Sequence, residues 1–224
     1  MRKFVRDNGL ALFFGGLFLL AVGFQAIAGW QAFNDDQAWH HAPKISLFRY
    51  VTSSAYGAAV MENWQSEYLQ FTLFILLTVW LIQRGSPESK EPGKEGEESD
   101  DQQKVGEHAD ERSPRWARAG GVRTWIYENS LLFVMAAIWV GTWVSQSITG
   151  VSEYNAERLS HQLPVISWSH YLVTADFWER TLQNWQSEFL AVGSFVVLAI
   201  YLRQRGSSQS KPVGAPHDAT GVEA

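Results

Sequence analysis

The stretch NWQSEYLQFTLFILLTVWLIQRGS begins at Asn63, and NWQSEFLAVGSFVVLAIYLRQRGS begins at Asn184, 121 residues further on. The same spacing links Asn8 with Asn129, Gln25 with Gln146, Asn34 with Asn155, Pro43 with Pro164 and Tyr50 with Tyr171, and no gap is needed. Residues 7–86 therefore align with residues 128–207, and the chain reads as a tandem duplication of one unit. A chain built this way has to find a fold in which one short design works twice.

Each copy holds two apolar runs. The windows Leu10 to Trp30, Trp64 to Gln83, Ser130 to Gly150 and Trp185 to Leu202 are nearly free of charge. Each is about 20 residues long, enough for a helix to cross a hydrocarbon layer of about 30 Å. A soluble helix keeps a polar face, whereas LALFFGGLFLLAVGF and SFVVLAIYL are apolar all round. The fold class expected is an all-α integral membrane protein. Its four transmembrane helices form two tandem, parallel-oriented helical hairpins, with short interfacial helices in the outer loops. The first run follows Arg2, Lys3 and Arg6 as a signal peptide would, but it is longer than a signal h-region and has no small-residue cleavage site, so it reads as an uncleaved anchor.

An even number of spans per repeat inserts both halves in the same orientation. Of the 18 lysines and arginines, only Lys44, Arg49, Arg158 and Arg180 lie in the two loops between paired runs; the other 14 lie in the N-terminus, the central linker and the tail. The positive-inside bias puts both termini and the linker in the cytoplasm. The organisation expected is residues 1–86 as the first two-span repeat, 87–120 as a charged, disordered linker, 121–207 as the second repeat and 208–224 as a disordered tail. The linker is rich in Glu, Lys, Gly, Ser and Pro and almost lacks aliphatic residues, so it buries too little to offset its ordering entropy. Arginines then flank Trp116 and Trp125, a pattern suited to an inner-leaflet interface. In the outer loops, Ser46 and Ser167 stand within the ISLFRY and ISWSHY segments and read as N-caps of short interfacial helices.

The candidate polar site within the membrane is Glu67 and Glu188 with Gln25, Gln146, Asn63 and Asn184. Glu67, Phe74, Leu77 and Leu81 recur as Glu188, Phe195, Leu198 and Leu202, at spacings that share one helix face. Glu67 precedes Gln83 by 16 residues, about 24 Å of helix. Gln25 follows Gly9 by the same interval, so a Gln25–Glu67 hydrogen bond is expected, repeated as Gln146–Glu188. Ionisable groups at membrane depth mark proton or cation paths, but both glutamates stand near the outer surface, which favours packing and anchoring. A second repeated pair, Asp36 with His40 and Glu157 with His161, has i, i+4 spacing and could supply metal ligands, yet such exposed pairs are commonly surface contacts only.

No Walker loop, dinucleotide fingerprint, serine elbow or HExxH sequence occurs, and with no cysteine there is no thiol nucleophile or thiolate site. No cofactor is implied. The basic residues sit beside the apolar runs and leave no nucleic-acid footprint. RDNGL, NWQSEYLQ, QRGSPESK, DFWERTLQNWQSEFL and RQRGSSQSKPV resemble a bacterial membrane-protein family described as a domain of unknown function, DUF6766. The resemblance covers both halves and implies a bacterial inner-membrane location without an activity. The function expected is that of a non-enzymatic structural or partner-binding membrane protein. Its partners would be the lipid bilayer and a second copy or another membrane protein. The alternative is a small proton- or cation-linked transporter or channel using the repeated glutamates, and the third reading is an extracytoplasmic metal-binding protein.

Overall fold

The computed structural model describes residues 2–222, and the described residues contain helices and turns but no strand. Helix α1 (Arg2–Asp7) passes through Asn8 into α2 (Gly9–Trp39). The Asn8 side-chain amide donates to the Phe4 carbonyl at 2.9 Å, so the side chain shares an acceptor with its own backbone and breaks the regular helix at one residue. Then come α3 (Leu47–Val51), α4 (Ser54–Leu77), α5 (Asp100–Gln103) and a 3-10 turn at Gly106–His108. Helices α6 (Gly121–Glu128), α7 (Ser130–Ser160), α8 (Trp168–Tyr171) and α9 (Ala175–Tyr201) complete the order.

Two of these helices, α2 and α7, are long and apolar enough to cross a membrane, each with 31 residues and so about 46 Å of axis. Four such helices were expected, and the other two fall short for a physical reason. Helix α4 begins nine residues before Asn63, so Glu62, Asn63, Gln65 and Glu67 occupy its middle rather than its mouth. It also ends at Leu77, before the apolar run does, and Thr78–Leu81 continue as hydrogen-bonded turns. The helical path below Glu67 is therefore about 15 Å, not about 24 Å. Helix α9 carries Asp176, Glu179, Arg180 and Glu188.

The chain divides into two compact units: Met1–Met61 with Ser145–Tyr171, and Glu62–Val144 with Leu172–Ala224. In the first unit, each long helix is followed by a loop held by one asparagine. Asn34 donates from Nδ2 to the Ile45 carbonyl at 3.0 Å and accepts the Ile45 amide at 2.8 Å. Asn155 holds Ile166 by the same two bonds, each 2.9 Å. A carboxamide carries both a donor and an acceptor on one planar end, which is why it can close a backbone ladder that a loop lacks. Ser46 and Ser167 then accept the Arg49 and His170 amides, capping α3 and α8. Both helices end near a buried tyrosine, Tyr50 or Tyr171, and each ring packs on a tyrosine or phenylalanine of the preceding long helix, Phe33 or Tyr154.

In the second unit, α4 below Met61 meets α9 along the two NWQSE stretches. The linker, expected to lack order, has a Ser99-capped α5 with a reciprocal Gln102 bond, and Gly106 donates to Ala117 at 2.8 Å. These bonds are short-range in sequence and join backbone and polar side chains, which amino-acid composition does not register. Residues 208–222 of the tail, also expected to be without structure, are held by Lys211, whose side chain is fully buried. Residues 223 and 224 of that tail lie outside the described residues.

A Cβ on Gly29 would overlap the Tyr50 hydroxyl, so only glycine lets that ring lie against α2. Helix propensity alone would favour Gly29→Ala by up to about 1 kcal/mol, but overpacking costs about 1–3 kcal/mol. Gly29→Ala is therefore predicted to lower the thermal midpoint in detergent. Adding Tyr50→Phe, which removes the overlapping oxygen, should restore most of the loss, a recovery that thermal unfolding of the two variants will check.

Candidate functional site

The two NWQSE stretches do not occupy equivalent surroundings. In the first, Gln65 and Ser66 are buried; in the second, Gln186 and Ser187 are exposed. The indole Nε1–H of Trp185 donates to Gln65 Oε1 at 2.8 Å, and Gln65 Nε2 donates to the Glu62 carbonyl at 3.2 Å. A buried amide in mid-helix is tolerated because both its ends are matched. One helical turn earlier on α9, Arg180 Nη1 donates to Glu62 Oε1 at 3.1 Å, and its Nε reaches Asp176 at 3.3 Å. Arg180 and Glu62 are mostly buried, so each charge depends on the other.

Below this pair, Ser66 Oγ donates to Glu188 Oε1 at 3.4 Å and to the Asn63 carbonyl at 2.9 Å. Glu188 is half-buried and Glu67 is exposed, and the two carboxylates are near enough to repel each other. Asn184 donates to the Arg180 carbonyl at 2.8 Å, an intrahelical bond. Of the remaining expected members, Asn63 and Gln25 are exposed, and Gln146 is buried with its Oε1 free of any hydrogen bond. The described arrangement thus brings together Glu188, Ser66 and Gln65 with Trp185, and adds Arg180, Glu62 and Asp176, which the repeat did not single out. Arg180 could have been found as one of only two Lys or Arg residues between the third and fourth apolar runs; Glu62 has no acidic counterpart at Gln183 and left no signal.

Aromatic rings pack beside the polar seam. Trp143 of α7 stacks on Trp139 at 6.0 Å and on Phe177 at 6.2 Å, and it meets Trp185 at 5.8 Å and the edge of Trp178 at 6.2 Å. Such offset and edge-on arrangements match the ring quadrupoles. The indole nitrogens of Trp139 and Trp143 and the Thr181 hydroxyl are buried without a hydrogen-bond partner.

The repeated carboxylate–histidine pairs are open to solvent. His40 Nδ1 lies 3.6 Å from Asp36 Oδ1, while His161 meets Glu157 through a backbone bond of 3.2 Å. Among the described residues no three His, Asp or Glu side chains stand together as a metal ion would require.

Trp185→Phe leaves Gln65 Oε1 buried and unpaired, which costs about 1–3 kcal/mol. Because Gln65→Leu removes the stranded group, the double variant should be more stable than Trp185→Phe alone. A double-mutant cycle by chemical denaturation reads this coupling, and additive effects would place the two side chains in no shared interaction.

No curated protein and no solved structure matches the chain. A family model does: that of a domain of unknown function, DUF6766, over residues 1–222. The chain belongs to the DUF6766 family.

Proposed function

We propose that this is a multi-pass integral membrane protein of the bacterial inner membrane that acts by packing and partner binding rather than by catalysis. It would use four spans, arranged as two hairpins in parallel orientation, with both termini and the linker cytoplasmic. One observation carries the membrane reading. The apolar window of α2 has no buried residue at all, and Phe14, Leu19 and Leu20, which project at least about 100° apart around the helix, are 60%, 70% and 58% exposed. A helical window that is apolar all round and has no buried residue needs a lipid solvent. In the first unit, the Asn34 and Asn155 clamps satisfy loop backbone that lipid could not. On α4 and α9, the Arg180–Glu62 pair and the Trp185–Gln65 bond supply the polar partners that buried charge and amide require.

The segment before α7 supports an inner-leaflet location. Arg112, Arg115, Arg118 and Arg123 lie in a stretch with no acid between Glu111 and Glu128. Trp116, Val122 and Trp125 are exposed beside them, and Thr124 donates to the Trp116 carbonyl at 2.8 Å, folding the loop onto α6. Cations and indoles in one short loop and the helix it leads into suit anionic headgroups.

The chain has no cysteine, so single replacements can be labelled cleanly. In intact cells an impermeant maleimide should modify Glu157→Cys and leave Ser99→Cys untouched; both positions are exposed. The reverse pattern would invert the topology, and equal labelling would remove the membrane from between them.

A second reading, proton- or cation-linked transport, draws on Glu188. Its carboxylate accepts a serine hydroxyl, faces the charge of Glu67 and has no basic partner among the described residues. In proteoliposomes loaded with a pH-sensitive dye, the packing reading expects no protein-dependent flux. Flux that is present and lost in Glu67→Gln/Glu188→Gln, with helical content unchanged, would establish transport in its place.

A further inference from the structure

The sequence QRGSPESKEPGKEG from Gln83 and QRGSSQSKPVGAPH from Gln204 keep Ser, Lys and Gly in the same places. The local bends agree as well: Gln83 donates to Ser89 Oγ and Gln204 to Ser210 Oγ, each at 2.9 Å. The two lysines then part company. Lys90 stays partly exposed, donates to the Gly96 carbonyl at 2.6 Å and pairs with Glu98 at 2.6 Å.

Lys211 is fully buried and meets only neutral oxygen. Its Nζ donates to the carbonyls of Gly85 at 2.7 Å, His217 at 2.9 Å, Pro216 at 3.2 Å and Ala219 at 3.2 Å. Three N–H groups are shared among four acceptors. Burial, and then the neighbouring Arg203, push the Lys211 ammonium below the ordinary lysine range, with Asp218 acting the other way. The Asp218 carboxylate itself is on the surface, 3.8 Å from Arg84. A buried ammonium without a counter-ion persists only where its donors are matched, and here backbone carbonyls do all the matching.

Three of those carbonyls belong to the tail and one to the turn after the second apolar run, 126 residues away. The same turn is held twice more: Gly85 N–H donates to Thr220 Oγ1 at 2.8 Å and Gly221 N–H to the Ser86 carbonyl at 3.0 Å. Gly85 has a φ of +88°, and a Cβ there would strike the His217 carbonyl, so the turn and the tail are shaped to each other. The equivalent Gly206 has a φ of +81° and nothing against it.

We propose that the Gly85 turn and residues 216–219 build an ammonium-binding site that Lys211 fills from within the chain, and that filling it holds the tail over the Gly85–Ser86 turn. The ligand class is a primary ammonium, because N–H donors at 2.7–3.2 Å are what four carbonyls can match. An arginine fork would not fit a ring built for a compact charge. The site exists only while the tail is docked, since the tail supplies most of it. It is independent of the membrane orientation and of any transport by the glutamates.

Ser86 is fully buried and serves as the reporter. In the full-length protein in detergent, Ser86→Cys should resist a maleimide. Adding Lys211→Ala should speed labelling by about tenfold or more, the effect of losing a charge-assisted bond. n-Butylammonium, which offers three N–H donors, should slow it again, and tetramethylammonium, which offers none, should not. Labelling unchanged by Lys211→Ala overturns the proposal, as does labelling that neither ion slows or that both slow equally. If Lys211→Ala does not fold, Lys211→Met keeps the stem and loses the donors: protection lost supports the site, and protection retained overturns it.

Discussion

Gln65 has no exposed surface, and a wholly buried amide must find its partners inside the protein. The Trp185 indole supplies one and the Glu62 carbonyl the other, and this fixes how α4 and α9 are matched along their lengths. Once they are matched there, Arg180 falls opposite Glu62 and Glu188 falls opposite Ser66. The aromatic packing of Trp143 against Phe177 and Trp185 follows the same register. Moving α9 by one residue would turn Trp185 by about 100° and strand the amide, so one hydrogen bond of modest strength selects among otherwise similar greasy contacts.

A different constraint shapes the loops after α2 and α7. Their backbone leaves helical geometry yet must still match its N–H and C=O groups. Asn34 and Asn155 do this with one side chain each, and the Ser46 and Ser167 caps begin the next short helix at once. Tyr50 and Tyr171 then lie back against Gly29 and Gly150, so each loop is closed by a polar clamp at one end and a ring at the other. The clamps use few residues, which lets the chain turn within a short distance of a long apolar helix.

Much of this was legible in the sequence. The spacing of 121 residues pointed to Asn34 and Asn155, to the serine caps and to the two tyrosines before their partners were known. Apolar runs marked α2 and α7 because no charged residue interrupts them. The course of α4 was less legible: the run from Trp64 to Gln83 is continuous in hydropathy, but the helix begins at Ser54 and ends at Leu77. Hydropathy records solvent preference, not where backbone bonds change partner. Nor could a repeat reveal asymmetry. Arg180–Glu62 joins positions that have no equivalents, and the buried Lys211 matches Lys90 in sequence while differing from it in every side-chain contact. Composition gave the tail no core because it counts apolar side chains, whereas the tail is held mainly by backbone carbonyls.

The unequal burial of the two NWQSE stretches bears on where this chain tolerates change. The structure buries Gln65 and Ser66 and leaves Gln186 and Ser187 in the open, so matching sequence positions carry unequal duties. Replacement at Gln65 strands Trp185, whereas replacement at Gln186 strands nothing described. The second pair is thus the place where this chain can acquire a new surface chemistry at small structural cost, with the first pair kept as the fixed half of the design.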